Sequence, residues 1–439
     1  MSERPAAPAP DGSRPAASTA SAPAPAPDGD RRDIALLFAT RILRMFGYGF
    51  LAVVLVLYLT AIGLSGAETG LLLGLTLLGD AAVSLWLTTH ADRIGRRRVL
   101  VAGAVLMVGA GVAFTATSLL PVLLVAATLG VISPSGNEVG PFLAVEQASL
   151  SQLSSDRQRT SLFARYQLAG SFATAAGTLT GGALAQAGIN GGAQPADAYR
   201  LVIIGYALVG IVLGSLFLLV SPRVEVPPAE LRDETVARRL GLHRSRGVVL
   251  RLSMLFALDA FGGGFAIQSF IAFWFHQRYG VDPAALGLVL AGANVLAGFS
   301  ALAAGRLAER FGLVNTMVFT HLPSNVLLAL VPFMPSLPLA VLVLFARFAI
   351  SQMDVPTRQS YTMAIVSPDE RSAAAGVTGI ARSLGVAAAP LIAGPLFATA
   401  ALASLPFVIS GGLKVVYDLL LYRSFRRLRP PEERGAGEP

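Results

Sequence analysis

The chain alternates long apolar runs with short polar loops, and it lacks the amphipathic stripes of soluble helices. Several runs exceed the roughly 18 residues that indicate a membrane span. Glycine, proline and clustered charges divide the runs into twelve predicted helices, at 34–59, 68–89, 99–118, 121–147, 160–187, 200–221, 248–275, 284–304, 314–334, 337–364, 372–398 and 403–424. The pattern therefore predicts an all-α membrane protein with twelve transmembrane helices.

Three polar segments set the predicted domain boundaries. Residues 1–30 are rich in proline and alanine and have no apolar core, so we expect a disordered cytoplasmic tail and no secretory signal. Residues 222–247 are polar and rich in arginine, which predicts a cytoplasmic linker between six-helix bundles at 31–221 and 248–425. Residues 426–439 form a basic cytoplasmic tail.

The composition agrees with a membrane protein. Hydrophobic residues make up 54% of the chain and charged residues 14%, whereas about a quarter of a soluble domain is charged. The net charge of +8 comes mostly from arginines in loops and tails. Because positive loops stay in the cytoplasm, both termini are predicted to be cytoplasmic, and no nucleic-acid partner is expected. The absence of cysteine excludes disulfides, thiol catalysis and thiolate metal sites.

The two halves of the chain are related in sequence. Three pairs of segments match in the same order: "LRMFGYGF" with "LDAFGGGF", "ADRIGRR" with "AERFGLV" and, more loosely, "DRQRT" with "DERSA". An internally duplicated membrane protein is typical of transporters, whose sites lie at the midplane between the repeats. The first match places Arg44 and Asp259 at equivalent positions.

The loops after the second and eighth helices read "THADRIGRRR" and "GRLAERFGLV". Both resemble the signature loop of the major facilitator superfamily, Gly-x-Leu-Ala-Asp-Arg-x-Gly-Arg-Arg/Lys. The first departs from it where Thr88 and His90 replace Gly and Leu, and the second lacks the terminal basic pair. The resemblance covers residues 33–427 and implies two pseudo-symmetric six-helix bundles that give alternating access to a central site.

The signature loops are predicted to act as a conformational latch. An acid and several arginines at a helix end can form charge-assisted hydrogen bonds to the neighbouring bundle and to helix termini. Breaking and remaking these bonds would bias one open state against the other. The predicted latch residues are Asp92, Arg93, Gly95, Arg96, Glu309 and Arg310.

Ionisable residues inside the membrane cost about 2.5–3.5 kcal/mol each and normally face a cavity or a partner. In the superfamily the first, fourth, seventh and tenth helices line the central cavity, and the fourth is interrupted here by "SPSGNEVGP". The predicted substrate and coupling residues on these helices are Arg44, Tyr48, Asn137, Glu138, Asp259, Gln268, Arg347, Asp354 and Arg358.

Proton coupling requires a carboxylate that changes protonation as the protein alternates, and Asp259 and Glu138 are the candidates. Asp354 is expected to pair instead with Arg358, which lies four residues on, or with Arg347. We also expect Arg44 and Asp259 to face each other across the cavity or to hold a substrate between them.

Six further ionisable residues are given structural roles. Lys414 and Asp418 lie four residues apart in the last helix and are expected to neutralise each other. Arg41, Glu146, Arg251 and Arg382 are expected to reach towards the membrane interface.

The sequence predicts a secondary transporter of the bacterial inner membrane that exports a small organic solute against inward proton flow. Uptake or facilitated transport of an anionic metabolite is the alternative hypothesis. A third hypothesis is a sensor or lipid-handling protein that has the same fold but does not transport a solute. An enzyme is not expected, because the chain has no P-loop, HExxH motif or nucleophile elbow. No cofactor or metal is expected beyond the proton gradient, and the chain is expected to be a monomer in the lipid bilayer.

Overall fold

The computed structural model describes residues 28–153, 156–225, 244–367, 370–426 and 428, and its regular structure in these ranges is entirely helical. The helices are α1 Asp28–Ala52, α2 Leu55–Ala61, α3 Gly66–Ile94, α4 Arg96–Ala116, α5 Leu120–Leu129, α6 Phe142–Gln152, α7 Asp156–Asn190, α8 Pro195–Leu219, α9 Arg246–Gly264, α10 Gln268–Tyr279, α11 Pro283–Phe311, α12 Leu313–Leu330, α13 Leu337–Ser351, α14 Asp354–Ile365, α15 Arg371–Ala398 and α16 Leu405–Phe425. Short 3-10 turns follow α8 and α12.

The helices account for the twelve predicted spans. Within the described ranges, ten helices or consecutive helix pairs are long and apolar enough to cross a membrane. The shorter apolar α5, continued by α6, and the 35-residue α7 supply the other two. The all-α prediction is confirmed. Most of the predicted tail at 1–30 and of the linker lies outside the described residues, although α1 already begins at Asp28.

Four spans are interrupted, and they are the first, fourth, seventh and tenth. The longest interruption separates α5 from α6, where Gly136 and Gly140 have φ angles of +67° and +83°. These left-handed conformations and the flanking Pro134 and Pro141 prevent a continuous helix through this segment. The predicted break in the fourth helix is therefore confirmed. Non-helical backbone at this depth is tolerated where it is buried in protein or lines a cavity.

The repeat is visible in how the equivalent helices pack. A methyl group on Gly49 of α1 would overlap the carbonyl oxygen of Thr174 in α7. In the second half, a Cβ on Gly264 of α9 would lie 2.5 Å from the carbonyl oxygen of Val386 in α15. The glycines of the two matching segments thus allow close helix crossings at equivalent places in the two halves.

The two bundles meet in the half of the molecule that lies opposite the linker. Small residues bring α3 against α15, since a side chain on Gly70 would overlap the carbonyl oxygen of Pro390. In the same half, the Ser269 hydroxyl at the start of α10 donates to Ala52 O at 2.8 Å, and its amide donates to Pro134 O at 3.1 Å. These bonds join three interrupted spans and close this side of the molecule.

Towards the linker the bundles separate. Gly376 and Gly379 of α15 have no atom within 4 Å of an added Cβ, unlike the glycines further along the same helix. Trp86 of α3 and Leu384 of α15 are 56% and 55% exposed. The chain therefore adopts a conformation that is closed on the far side and open on the linker side.

Candidate functional site

Arg44 lies at the centre of a buried ionic network in the first half of the chain. Its Nη1 and Nη2 donate to the two carboxylate oxygens of Glu146 at 2.8 and 2.7 Å, and its Nε donates to Glu138 at 2.8 Å. Its guanidinium also lies 4.6 Å from the ring centroid of Phe142. A bidentate pair of this kind fixes both position and orientation. We call Arg41, Arg44, Glu138, Glu146 and Tyr166 the N-terminal cluster.

The other members of the N-terminal cluster complete the network. Arg41 forms an ion pair with Glu138, and its Nη2 donates to Gln167 at 2.9 Å. The Tyr166 hydroxyl donates to Glu146. Arg41 and Glu146 are 1% and 0% exposed, so the expectation that they reach the interface is wrong. With two arginines and two glutamates, the cluster is formally neutral.

Asp259 occupies the corresponding place in the second half. Its Oδ1 accepts from Lys414 Nζ at 2.6 Å, and its Oδ2 accepts from Arg358 at 3.2 Å and from Arg382 at 3.3 Å. Arg358 also donates to Asp354 at 2.9 Å, which confirms the predicted pair. The expectation that Arg382 reaches the interface is wrong, because a carboxylate within bonding distance holds its guanidinium.

The predicted pair between Lys414 and Asp418 is also wrong. Lys414 turns to Asp259, while Asp418 accepts from Asn325 Nδ2 at 2.9 Å and lies 2.8 Å from His321 Nδ1. The two residues share a helix face, but helices α9 and α12 bring closer partners to each. We call the full set the C-terminal cluster: Asp259, His321, Asn325, Asp354, Arg358, Arg382, Lys414 and Asp418.

Arg44 and Asp259 do not pair with each other. Arg44 is held by two glutamates of its own bundle, and Asp259 by three cations of the other bundle. Both side chains are buried. The expectation of a direct pair is corrected, because each bundle neutralises its own charge, as expected for ions with a high desolvation cost. The alternative that the two residues hold a substrate between them stays a prediction.

Arg347 differs from the charges of the two clusters, because it is half-buried and has no ion-pair partner among the described residues. It lies ten residues into α13, about 15 Å along the helix axis from its start. Its guanidinium lies 4.6 Å from the ring centroid of the adjacent Phe348, and its Nε has no hydrogen-bond partner among the described residues. No carboxylate of the described residues pairs with it. A cation in this position favours an anionic ligand.

The remaining cavity candidates lie around the interruptions. The Tyr48 hydroxyl donates to Val139 O at 3.0 Å, which fixes the segment before α6. Gln268 accepts from Asn294 at 3.0 Å, but its own buried amide nitrogen has no partner among the described residues. Asn137 is exposed in the interruption, next to Glu138. These side chains place polar groups beside the broken helices.

The first signature loop is bonded within its own bundle. Arg96 donates to Asp92 at 2.8 Å and to Gln152 at 2.9 Å. Glu225, at the start of the linker, accepts from the backbone amides of Arg96 at 2.6 Å and Arg97 at 3.1 Å. Glu225 was not singled out in the sequence, because nothing local predicts that a linker acid returns to cap α4.

The second signature loop repeats the backbone of the first. Gly95 and Gly312 end α3 and α11 with φ angles of +107° and +83°, a region that favours glycine. Arg93, Glu309 and Arg310 are exposed on the linker side. Since the bundles are apart here, the predicted latch across them stays a prediction about the other state.

Comparison with known proteins decides the family. The model of the Major Facilitator Superfamily matches residues 37–390 and 254–439. The chain belongs to the major facilitator superfamily. It is therefore a multi-pass membrane transporter of a small solute.

Similar proteins agree with this assignment. An uncharacterized membrane protein of Saccharomyces cerevisiae, YJR124C, is 31% identical over 418 residues, or 89% of this chain and 93% of the yeast protein. A bacterial homologue of the human lysosomal transporter Spinster, inward-facing and unoccupied, gives a TM-score of 0.71 at 16% identity over 92% of this chain and 99% of that chain. The inward-open xylose transporter XylE from E. coli gives 0.70 at 17% identity, over 89% and 95%. The solved structures support the fold.

Proposed function

We propose that the chain is a proton-coupled secondary transporter whose solute is a small organic anion. The observation that carries this proposal is Arg347, a cation inside a span that lacks a carboxylate partner among the described residues. Such a charge is costly unless a ligand or solvent meets it. An anionic group that enters from the open side would neutralise it and would form charge-assisted hydrogen bonds.

The N-terminal cluster supports proton coupling to an anion. Glu138 is the most exposed acid of this cluster, with 15% of its side chain exposed, and it holds both Arg41 and Arg44. A proton on Glu138 would weaken both ion pairs and leave positive charge for an anion. Proton and anion would then bind together, and an inward proton gradient would drive uptake.

Export, the direction favoured by the sequence, is the second candidate. Export against an inward proton flow requires that solute and proton exclude each other. Glu138 is partly exposed, so a cationic solute could occupy its carboxylate in place of a proton. The two candidates therefore differ in the charge of the solute.

The orientation follows from the basic loops. If they lie in the cytoplasm, as the positive-inside rule indicates, the open side described above faces inward. We place the chain in a bacterial inner membrane with both termini cytoplasmic, and this placement is part of the proposal. Labelling of single cysteines introduced at Arg93 and at Gly63 from either side of intact cells tests it, since the chain has no cysteine of its own.

Transport by the purified chain in liposomes tests the function. The probes are lactate, succinate, citrate and benzoate as anions, and tetraphenylphosphonium and ethidium as cations, each with an imposed pH gradient in either direction. We expect at least one anion to accumulate on the alkaline side, and Arg347→Gln to abolish this accumulation. Arg278→Gln is the matched control, because Arg278 also lies on an adjacent ring, 5.5 Å from the centroid of Tyr279.

Two results would contradict the proposal. Transport of the cations alone would favour proton-coupled export. An anion rate that is the same for Arg347→Gln and the unmodified chain would remove Arg347 from the binding site.

A further inference from the structure

His321 is a buried titratable group that the transport model above does not use. It lies on α12, and only 5% of the residue is exposed. Its Nδ1 lies 2.8 Å from Asp418 Oδ1, and its Nε2 lies 3.8 Å from Asp259 Oδ1. The same Nδ1 lies 3.0 Å from Asn325 Nδ2, an amide that also donates to Asp418 Oδ2 at 2.9 Å. With Asp418 ionised, its carboxylate only accepts hydrogen bonds, and the proton of the Asp418 contact is then on Nδ1. The second nitrogen then points towards Asp259.

The charged side chains connected to this imidazole are Asp259 from α9, Asp354 and Arg358 from α14, Arg382 from α15, and Lys414 and Asp418 from α16. The ring of Tyr417 packs edge-on against it. The other helices packed against α12 carry Arg347 on α13 and the exposed Arg306, Glu309 and Arg310 at the linker end of α11. The C-terminal cluster itself contains three aspartates, two arginines and one lysine. It is formally neutral when His321 is neutral, so one added proton makes it positive.

The added proton would change which groups hold Asp259. A protonated His321 donates from both nitrogens and competes with Lys414 for Oδ1 of Asp259, where Lys414 now donates at 2.6 Å. Histidine is also the side chain whose charge normally changes between about pH 5 and pH 8.

Asp259 is connected to the contact that closes the far side. It lies five residues before the end of α9, where the Ser410 hydroxyl of α16 donates to Gly262 O at 2.7 Å. After the interruption, α10 begins with Gln268 and Ser269, and Ser269 bonds to Ala52 and Pro134 of the other bundle. A change in the partners of Asp259 thus acts on the end of α9 and on the closure that follows it.

We propose that His321, held by Asp418, is a second proton-binding site besides Glu138, and that it couples the proton gradient to the change of conformation. This inference rests on the proposed proton-coupled transport, and it assigns this proton site to α12 and α16, whereas the anion is proposed at Arg347 of α13. His321 was not singled out in the sequence, because its partners come from helices distant in the chain.

Two measurements on the full chain in lipid nanodiscs test the site without any solute. Spin labels on cysteines replacing Leu85 of α3 and Leu384 of α15 report the linker-side opening, and both positions are exposed. Ring nitrogen-15 spectra of the 4 histidines report their protonation. His321→Asn keeps an amide donor for Asp418 but cannot titrate. His276→Asn is the matched control, because among the described residues the only hydrogen-bond partner of the His276 ring is the backbone oxygen of Val281, at 2.8 Å.

We expect the ratio of open to closed populations to change by about fivefold or more between pH 5 and pH 8. His276→Asn should keep this change and His321→Asn should lose it. In the unmodified chain, the His321 ring should titrate within the same range.

Three results would overturn the inference: an unchanged pH response in His321→Asn, no pH response in the unmodified chain, or a His321 ring that does not titrate. The last readout does not depend on any variant folding. Failure of the proposed function can be told apart from these results, because a different assay detects it. In liposomes it would appear as transport of cations alone, or as anion transport that does not depend on Arg347, whatever the spin labels show.

Discussion

Lys414 donates a 2.6 Å hydrogen bond to Asp259 and so ties the last helix of the chain to the seventh span. Lys414 is the only lysine in the sequence, and the pair is buried. Asp259 also accepts from two arginines, Arg358 and Arg382, so its carboxylate is shared. The ammonium of Lys414 has Asp259 as its one partner in the part of the chain that the structure describes. Loss of Asp259 would therefore remove the acceptor of three cations, whereas loss of Lys414 would remove only one of the three donors to Asp259.

Removing the carboxylate should be more damaging than removing the lysine. Asp259→Asn leaves three cations without their shared acceptor, whereas Lys414→Met leaves Asp259 with two arginines. We expect Asp259→Asn to lower the free energy of unfolding by about 3–5 kcal/mol and Lys414→Met by less. Unfolding of the purified variants by denaturant or heat measures both. Equal losses, or the reverse order, would contradict the description of Asp259 as the shared acceptor.

The bidentate pair of Arg44 and Glu146 predicts strong coupling between these two residues. Arg44→Gln or Glu146→Gln alone leaves a buried charge, which should destabilise the protein by about 3–5 kcal/mol. The double variant should lose less than the sum of the two. Asp197→Asn with Arg200→Gln is the control, because that exposed pair on α8 should contribute at most about 1 kcal/mol. Additive losses at Arg44 and Glu146 would show that the pair is not coupled.

The crossing of α3 and α15 predicts a substitution that shifts the conformation. Gly394→Leu adds a side chain where α15 meets the backbone of Gly66 and Gly70, and should push the bundles apart on the far side. Gly376→Leu is the control on the same helix, because no atom lies within 4 Å of its added Cβ. Spin labels at positions 85 and 384 should report a shorter distance in Gly394→Leu only. A distance unchanged from that of the unsubstituted chain would argue against the closed far side.

The first signature loop predicts a kinetic effect. Asp92→Asn removes the acceptor of the 2.8 Å bond from Arg96, and Glu225→Gln removes the charge that caps α4. We expect both to slow transport of an anion that the liposome assay identifies, because the loop that must re-engage the other bundle loses its orientation. Asp197→Asn, an exposed acid on α8, should have no effect. Transport rates equal to those of the unmodified chain would exclude the latch.

Much of the fold was predictable because its signals are local. Apolar runs of sufficient length, turn residues and arginine-rich loops predicted the twelve spans, and the fourth-helix break followed from its prolines and glycines. The pair of Asp354 and Arg358 was also predictable, since residues four apart in one helix lie on the same face. The equivalence of the two signature loops appeared in the sequence and returns in the positive φ angles of Gly95 and Gly312.

The sequence by itself determined which residues are charged, which spans carry them and that the halves repeat, because these properties depend on neighbours along the chain. Only the tertiary structure decided the partners: Arg44 pairs with Glu146, Lys414 pairs with Asp259, and Asp418 contacts His321. In a bundle, partners of opposite charge from several helices lie within reach of each buried charge. Small differences in the rotation and depth of the helices decide which of these partners it contacts. Pairing inside a bundle was favoured because a buried charge must be neutralised wherever it lies, before any solute arrives.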